Sequence, residues 1–273
     1  MLPSYLLALR EGLEAALILG IVLGVIRRLG RPRLKRQVWA GTALAVILSV
    51  GVAAVMNAIG ASLKGTGEQI FEGVAMLLAA GVLTWMIFWM QRQARSIRTE
   101  LEADVRRAAL QGSQWALFTL SFVAVIREGI ELALFLTATA MTTSAQQTLT
   151  GALLGLGTSA LLGWSLFATT VRLDLRRFFQ VTGALLILFA GGLVAHGIHE
   201  FNEVGWIPAV IEHLWDVNFI LNENSTLGQL LKALFGYNGN PSLTEVLGYV
   251  AYFIAVGLGL RRSKSALPAA QEA

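Results

Sequence analysis

Cysteine is absent from this 273-residue chain. That excludes a disulfide framework, thiolate metal ligands and a thiol nucleophile. Charge is scarce as well. Charged residues make up 14% of the chain, against about 25% in a typical soluble domain. No Walker, Rossmann or nucleophile-elbow pattern occurs. Nucleotide-driven and hydrolytic chemistry therefore find no footing, and an enzyme is not expected. A secretory leader is not expected either, because the first residues lack a basic region and Arg10, Glu11 and Glu14 interrupt the apolar run.

What fills the chain is apolar surface: 55% hydrophobic residues and a mean hydropathy of +0.64. Apolar runs at roughly 3–26, 38–60, 70–90, 114–141, 148–171, 178–199 and 243–260 are long enough to cross a bilayer. The expected fold class is an all-α polytopic membrane protein with seven transmembrane helices in one permease domain. The net charge of +4 would suggest nucleic acid only if its distribution were ignored. Of the 21 Lys and Arg residues, 17 fall in the segments 27–36, 91–113, 172–177 and 261–264. These alternate loops are therefore cytoplasmic, the N-terminus is outside and the C-terminus inside. The expected location is the cytoplasmic (inner) membrane, crossed many times.

One motif stands against this apolar background. Arg10-Glu11-Gly12-Leu13-Glu14 recurs as Arg127-Glu128-Gly129-Ile130-Glu131, each copy inside an apolar run. A charge at the bilayer centre costs about 2.5–3.5 kcal/mol on insertion scales, so six such charges must pair or bind something. Within each copy the two glutamates lie i, i+3 on one helix face, and the arginine and second glutamate lie i, i+4. If the two helices cross at this level, four carboxylates meet two guanidiniums. That set suits a hard multivalent cation with oxygen ligands. A purely structural salt-bridge network is the alternative, although neutral packing would hold two helices at less cost.

The repeat extends further. The stretch 71–83 resembles 181–193 at an offset of 110, and the motif recurs at an offset of 117. Residues of about 1–90 and 114–199 thus read as two three-helix repeats of inverted topology, as in secondary transporters with a midplane site. A cytoplasmic connector at 91–113, an external acidic loop at 200–242, a seventh helix at 243–260 and a tail at 261–273 complete the chain. A second constellation lies at the outer end of the sixth run: His196, His199, Glu200 and Glu203, followed by Glu212, His213 and Asp216. With Glu68 and Glu72 on the third run, these residues form a candidate capture site where the ion arrives. A solvated helix end is the alternative. Met86 and Met90 are spaced as a thioether pair could be, but read as core- or lipid-facing. Asn224-Ser225-Thr226 fits a glycosylation sequon, read as a chance match.

The twin motif in the first and fourth membrane helices resembles the signature of the iron permease family (the iron/lead transporter family), which has fungal and bacterial branches. The resemblance covers nearly the whole chain. Glu212-His213-Leu214-Trp215-Asp216, with Gly236-Tyr237 and Pro241 after it, is similar to the bacterial branch. Ile130 stands where the signature has leucine, a conservative departure. The resemblance implies that Glu11, Glu14, Glu128 and Glu131 handle iron during permeation, with Arg10 and Arg127 orienting them. Iron is then substrate, with no permanently bound cofactor. It also implies a partner that presents or oxidises the metal: a ferroxidase in fungal members, an extracytoplasmic iron-binding protein and a haem peroxidase in bacterial ones. An oligomer is compatible with the sequence. Three other readings stay open: transport of another cation such as lead or manganese, a membrane di-metal oxidase, and a sensor or structural subunit whose charge cluster only holds helices together. The oxidase is disfavoured because its sites use Glu-x-x-His pairs, and no histidine follows a motif glutamate at that spacing.

Overall fold

The structure is a computed structural model that describes residues 1–93, 97–110, 114–168, 174–223 and 225–265. Asn224 of the sequon, Arg95 of the connector and Arg172 of the third basic turn lie outside the described residues. Among the described residues the regular structure is helical: α1 (Leu2–Arg28), a 3₁₀ turn (Pro32–Leu34), α2 (Lys35–Ser62), α3 (Thr66–Gln93), α4 (Ile97–Leu110), α5 (Gln114–Thr142), α6 (Ala145–Ala168), α7 (Leu175–Glu203), α8 (Thr226–Phe235) and α9 (Leu243–Ser265). Helix is what lipid demands, because each backbone N–H and C=O must find a partner within its own segment.

Among the described residues five helices are long and apolar enough to cross a membrane: Pro32–Ser62, Thr66–Met90, Ala145–Leu166, Arg177–Glu203 and Leu243–Arg262. The sequence suggests seven. The two left out by composition are α1 and α5, of 27 and 29 residues, each carrying the three charges of its motif within five positions. The apolar spans expose large aliphatic side chains, among them Ile47, Val50 and Val55 on α2 and Leu149, Leu153 and Leu161 on α6. Apolar faces of that extent on a folded surface are what a lipid environment covers.

The helices gather into two compact units. The first comprises Met1–Ser62 and Ala94–Thr182, the second Leu63–Gln93 and Gly183–Ala273. The first unit is built on two helix pairs, α1 with α6 and α2 with α5. Small residues let each pair close. A Cβ on Gly151 would collide with the Met1 carbonyl and crowd the Tyr5 nitrogen, and one on Gly41 would collide with the Phe118 carbonyl and crowd the Phe122 nitrogen. The two collisions match through the offsets of the sequence repeat. Further along, Gly155 meets Tyr5 and Leu9, Gly12 meets Ser159 and Gly163 meets Ala16. Residue numbers rise together, so α1 and α6 run parallel. The Gly41–Phe118 and Gly129–Ser49 contacts make α2 and α5 parallel in the same way. The segment of 91–113 expected to be a helical connector forms α4 over Ile97–Leu110, in the first unit.

In the second unit the described residues of the expected external loop are held by backbone hydrogen bonds. Its chain is pinned by Leu214 N donating to the Pro241 carbonyl, Val217 N to Gly239 and Leu243 N to Ile211. It carries a helix that the sequence reading leaves as loop, α8, capped by Ser225 Oγ accepting from Gly228 N and closed by Gly236 at φ 68°. Helix α7 runs to Glu203, a turn beyond its expected end at 199, so His199, Glu200 and Glu203 are helical. Met86 is buried, as a core-facing reading of that residue requires.

Candidate metal-binding site

Both motif copies lie in the first unit, on α1 and α5. A motif glycine is needed on each helix because a neighbour presses on it. A Cβ on Gly12 would collide with Ser159 Oγ on α6, and one on Gly129 with Ser49 Oγ on α2. Ser49 and Ser159 are themselves 110 positions apart. Each serine hydroxyl is satisfied by its own helix, Ser49 Oγ donating to the Ala45 carbonyl and Ser159 Oγ to that of Leu156. These two contacts fix the depth at which the motif glutamates stand.

Glu11, Glu128 and Glu131 converge. One carboxylate oxygen from each lies within 4.8 Å of the others, and all three residues are buried. Glu11 is 1% exposed, Glu128 7% and Glu131 8%. Among the described residues this is the one group of three such side chains. Arginines partner the outer members. Arg10 Nη2 stands 3.2 Å from Glu14 Oε1 and Arg10 Nη1 3.5 Å from Glu11 Oε1. Arg127 Nε donates to Glu131 Oε1 at 3.0 Å. Glu11 Oε2 and Glu131 Oε2 are buried with no hydrogen-bond partner. Leaving a buried acceptor unsatisfied costs about 1–3 kcal/mol, more for a charged group. Two lone oxygens beside a third carboxylate form an acceptor set that a cation would satisfy. Four carboxylates and two guanidiniums leave a formal charge of −2.

The four glutamates expected to share a metal are not all in the tight group. Glu14 is turned toward Arg10 and stands outside the tight group. Arg127 is the more accessible arginine, its side chain 35% exposed against 2% for Arg10.

The candidate capture residues all lie in the second unit, and they divide. His196, His199 and His213, all the histidines of the chain, line one cavity of about 310 Å³ with Asn218, Glu223, Lys232, Asn238, Asn240 and Glu245. His196 Nδ1 pairs with the Gly192 carbonyl at 2.9 Å, and His199 Nδ1 with Glu245 Oε1 at 3.0 Å. Glu203 approaches His199 Nε2 at 3.3 Å and accepts from Gln69 Nε2. Glu68, Glu72, Glu200 and Glu212 do not line the cavity, and Asp216 closes a local turn by accepting from Asn218 N.

Glu245 is the residue that the sequence reading misses. It is 4% exposed and accepts from Ser242 N and Asn238 Nδ2 besides its pairing with His199. Ser242 Oγ in turn accepts from Glu245 N. This is a capping box at the start of α9, and its Ser-x-x-Glu signature ahead of an apolar run is visible in the sequence.

Residues 1–267 match the model of the iron permease FTR1 family. The ferrous iron permease EfeU of Escherichia coli O6:K15:H31 is 35% identical over 256 residues, which cover 93% of each chain. The ferrous iron permease EfeU of Escherichia coli O157:H7 matches to the same extent. That of Yersinia pestis is 32% identical over 256 residues, 93% of this chain and 91% of its own. No solved structure matches the chain.

Proposed function

The chain belongs to the iron permease FTR1 family, and from that premise we propose that it imports iron across the cytoplasmic membrane through the twin-motif carboxylates. The observation that carries the reading is the convergence of Glu11, Glu128 and Glu131 within 4.8 Å, two of them with unpartnered buried oxygens. These three replace part of the ion's water shell. Glu14, held by Arg10, stands in reserve one turn away, and the arginines keep the carboxylates apart and oriented.

The ion is ferrous in this reading. A dication cancels the formal −2 of the cluster, whereas a trication leaves a net charge in the membrane, where an uncompensated charge is costly. The relatives named above are called ferrous iron permeases. An inside-negative potential draws a dication inward by about 4.6 kcal/mol per 100 mV.

The proposed topology has seven spans, the five apolar helices plus α1 and α5, with the N-terminus outside and the C-terminus inside. Clustering of basic residues at 27–36 and 91–113 supports the sidedness. Inverted repeats explain why α1 lies parallel to α6 and α2 to α5, while the two-residue turn at 143–144 reverses the chain between α5 and α6. An extracytoplasmic protein delivers the metal, and the histidine-lined cavity of the second unit captures it.

Uptake of radioactive iron into iron-starved, permease-deficient cells tests this. Wild type supplied with ferrous iron should accumulate label, and Glu131→Gln and Glu11→Gln, at equal membrane abundance, should not. Normal transport by both variants would reduce the cluster to a structural salt-bridge network.

A further inference from the structure

The repeat equivalences expose a difference between the two ends of the first unit. Along α1 and α5, equivalent residues are 117 positions apart; along α2 and α6 they are 110 apart. Packing obeys both offsets at Gly41/Gly151 and at Ser49/Ser159. The α1–α2 end and the α5–α6 end are therefore built to one plan. Their linings are not the same.

At the α1–α2 end Val22, Ile26, Leu34 and Val38 form one buried cluster with Leu117 of α5. Helix α4 closes it with Val105 and Ala108, and Ile18, Leu23, Leu29 and Leu101 pack around it. Val22, Ile26, Val38, Val105 and Leu117 are each 0% exposed. A plug this buried and this apolar presents no side-chain oxygen to a cation. Arg27, Arg28, Arg31 and Arg33 in the adjoining turn mark this end as cytoplasmic.

At the α5–α6 end the equivalent positions hold hydroxyls: Thr139 for Val22, Thr143 for Ile26, Ser144 for Leu34 and Thr148 for Val38. Ser144 is exposed and Thr143 half-buried, whereas Thr148 and Thr139 are buried. The four thus descend from the surface into the unit. Thr143 and Thr148 hydroxyls pair at 2.9 Å, Thr143 Oγ1 donates to the Thr139 carbonyl at 2.9 Å, and Thr139 Oγ1 donates to that of Phe135 at 2.7 Å. Each oxygen retains a lone pair after donating. On α5 the sequence from this cluster to the site is Thr139, Phe135, Glu131, one turn apart each time. Phe135 is fully buried between this cluster and Glu131, with Leu7 and Ala8 of α1 buried at the same end, whereas the other end has an aliphatic layer with no hydroxyl.

We propose that Thr139, Thr143 and Thr148 line the path by which the hydrated dication reaches the carboxylates, with Phe135 in the outer gate, and that the Val22–Ile26–Leu34–Val38 cluster under α4 is the closed inner gate. Hydroxyl oxygens stand in for water as the ion sheds its shell. The inner plug keeps the site sealed from the cytoplasm until α4 moves. This route rests on the carboxylate reading of the site, and the test separates the two.

The test is ferrous iron uptake in the same deficient cells, by Thr139→Val/Thr148→Val, its hydroxyl-restoring counterpart Thr139→Ser/Thr148→Ser, and Glu131→Gln. The valine pair copies the other end of the unit and keeps the side-chain shape. It should lower uptake about tenfold, the worth of one charge-assisted hydrogen bond, and the serine pair should restore it. If the valine pair transports normally while Glu131→Gln is inactive, the route is wrong and the carboxylate site stands. If both transport normally, the site reading falls with it. Labelling provides an independent readout that needs no transport, because the chain has no cysteine of its own. A membrane-impermeant thiol reagent applied outside should modify Thr148→Cys and Thr143→Cys, and leave Val22→Cys and Val38→Cys unmodified. Labelling of the valine positions from outside, or protection of both threonine positions, would overturn the assignment.

Discussion

Exchanging one methyl group across the α2–α5 contact tests how tightly the site is held. In Gly129→Ala the new Cβ would lie 2.6 Å from Ser49 Cβ and in collision with Ser49 Oγ, so the helices must separate by about 1 Å to reach ordinary contact. Overpacking of this kind costs about 1–3 kcal/mol, which for a chain of this size lowers Tm by about 2–12 °C. Ser49→Gly removes both offending atoms and leaves only Ser49 Cα, at 3.9 Å from the new methyl. The double variant Gly129→Ala/Ser49→Gly should therefore recover most of the loss, with a coupling of about 1–3 kcal/mol. Thermal unfolding of the four proteins in one detergent measures the cycle. Iron uptake should follow it, because Glu128 and Glu131 flank the displaced residue. If Gly129→Ala unfolds at the wild-type temperature, the close approach does not exist. If the double variant is no better than Gly129→Ala, the collision with Ser49 is not its cause.

Removing Arg10, which is buried beside Glu11 and Glu14, should cost about 3–5 kcal/mol by leaving uncompensated charge; Arg10→Ala should show low membrane abundance, and Arg127→Ala, more exposed, should lose less. The pair His196→Ala/His199→Ala should raise the KM for ferrous iron at unchanged maximal uptake if the cavity captures the ion, whereas a proportional loss of maximal uptake would place those histidines elsewhere in the cycle. Glu245→Ala removes the second half of the capping box and the partners of His199 and Asn238, and should expose the 204–225 segment to limited proteolysis from the outside. A transport competition series should show manganese as a weaker rival to ferrous iron, in keeping with its lower place in the divalent affinity order; stronger inhibition by manganese would contradict an iron-selective site.

Much of this was legible in the residues. The twin motif, the offsets of 110 and 117 and the apolar runs foreshadow the helices and the meeting of carboxylates from α1 and α5. What escaped depends on tertiary detail. Glu14 shares its helix face with Glu11 and both stand beside the Arg10 guanidinium, yet only Glu11 joins the tight group. Helix spacing does not report which partner an arginine takes. Glu200 stands within electrostatic reach of Glu72, His199, Glu203 and Glu68, while the cavity the histidines line also recruits Asn238, Asn240 and Glu245, which the sequence reading does not single out. Helix α8, only ten residues long, is too short for its apolar content to stand out within an acidic loop. The packing of the first unit crosses the sequence halves, α1 with α6 and α2 with α5, because small residues on one helix let the other approach closely.

The most direct test of the carboxylate site is anaerobic equilibrium binding of ferrous iron to the purified, detergent-solubilised protein, wild type against Glu11→Gln/Glu131→Gln. The account predicts an ion bound by wild type and an affinity loss of about 10²–10⁴-fold in the variant, the worth of two charged ligands. Equal affinity in the two proteins would contradict it.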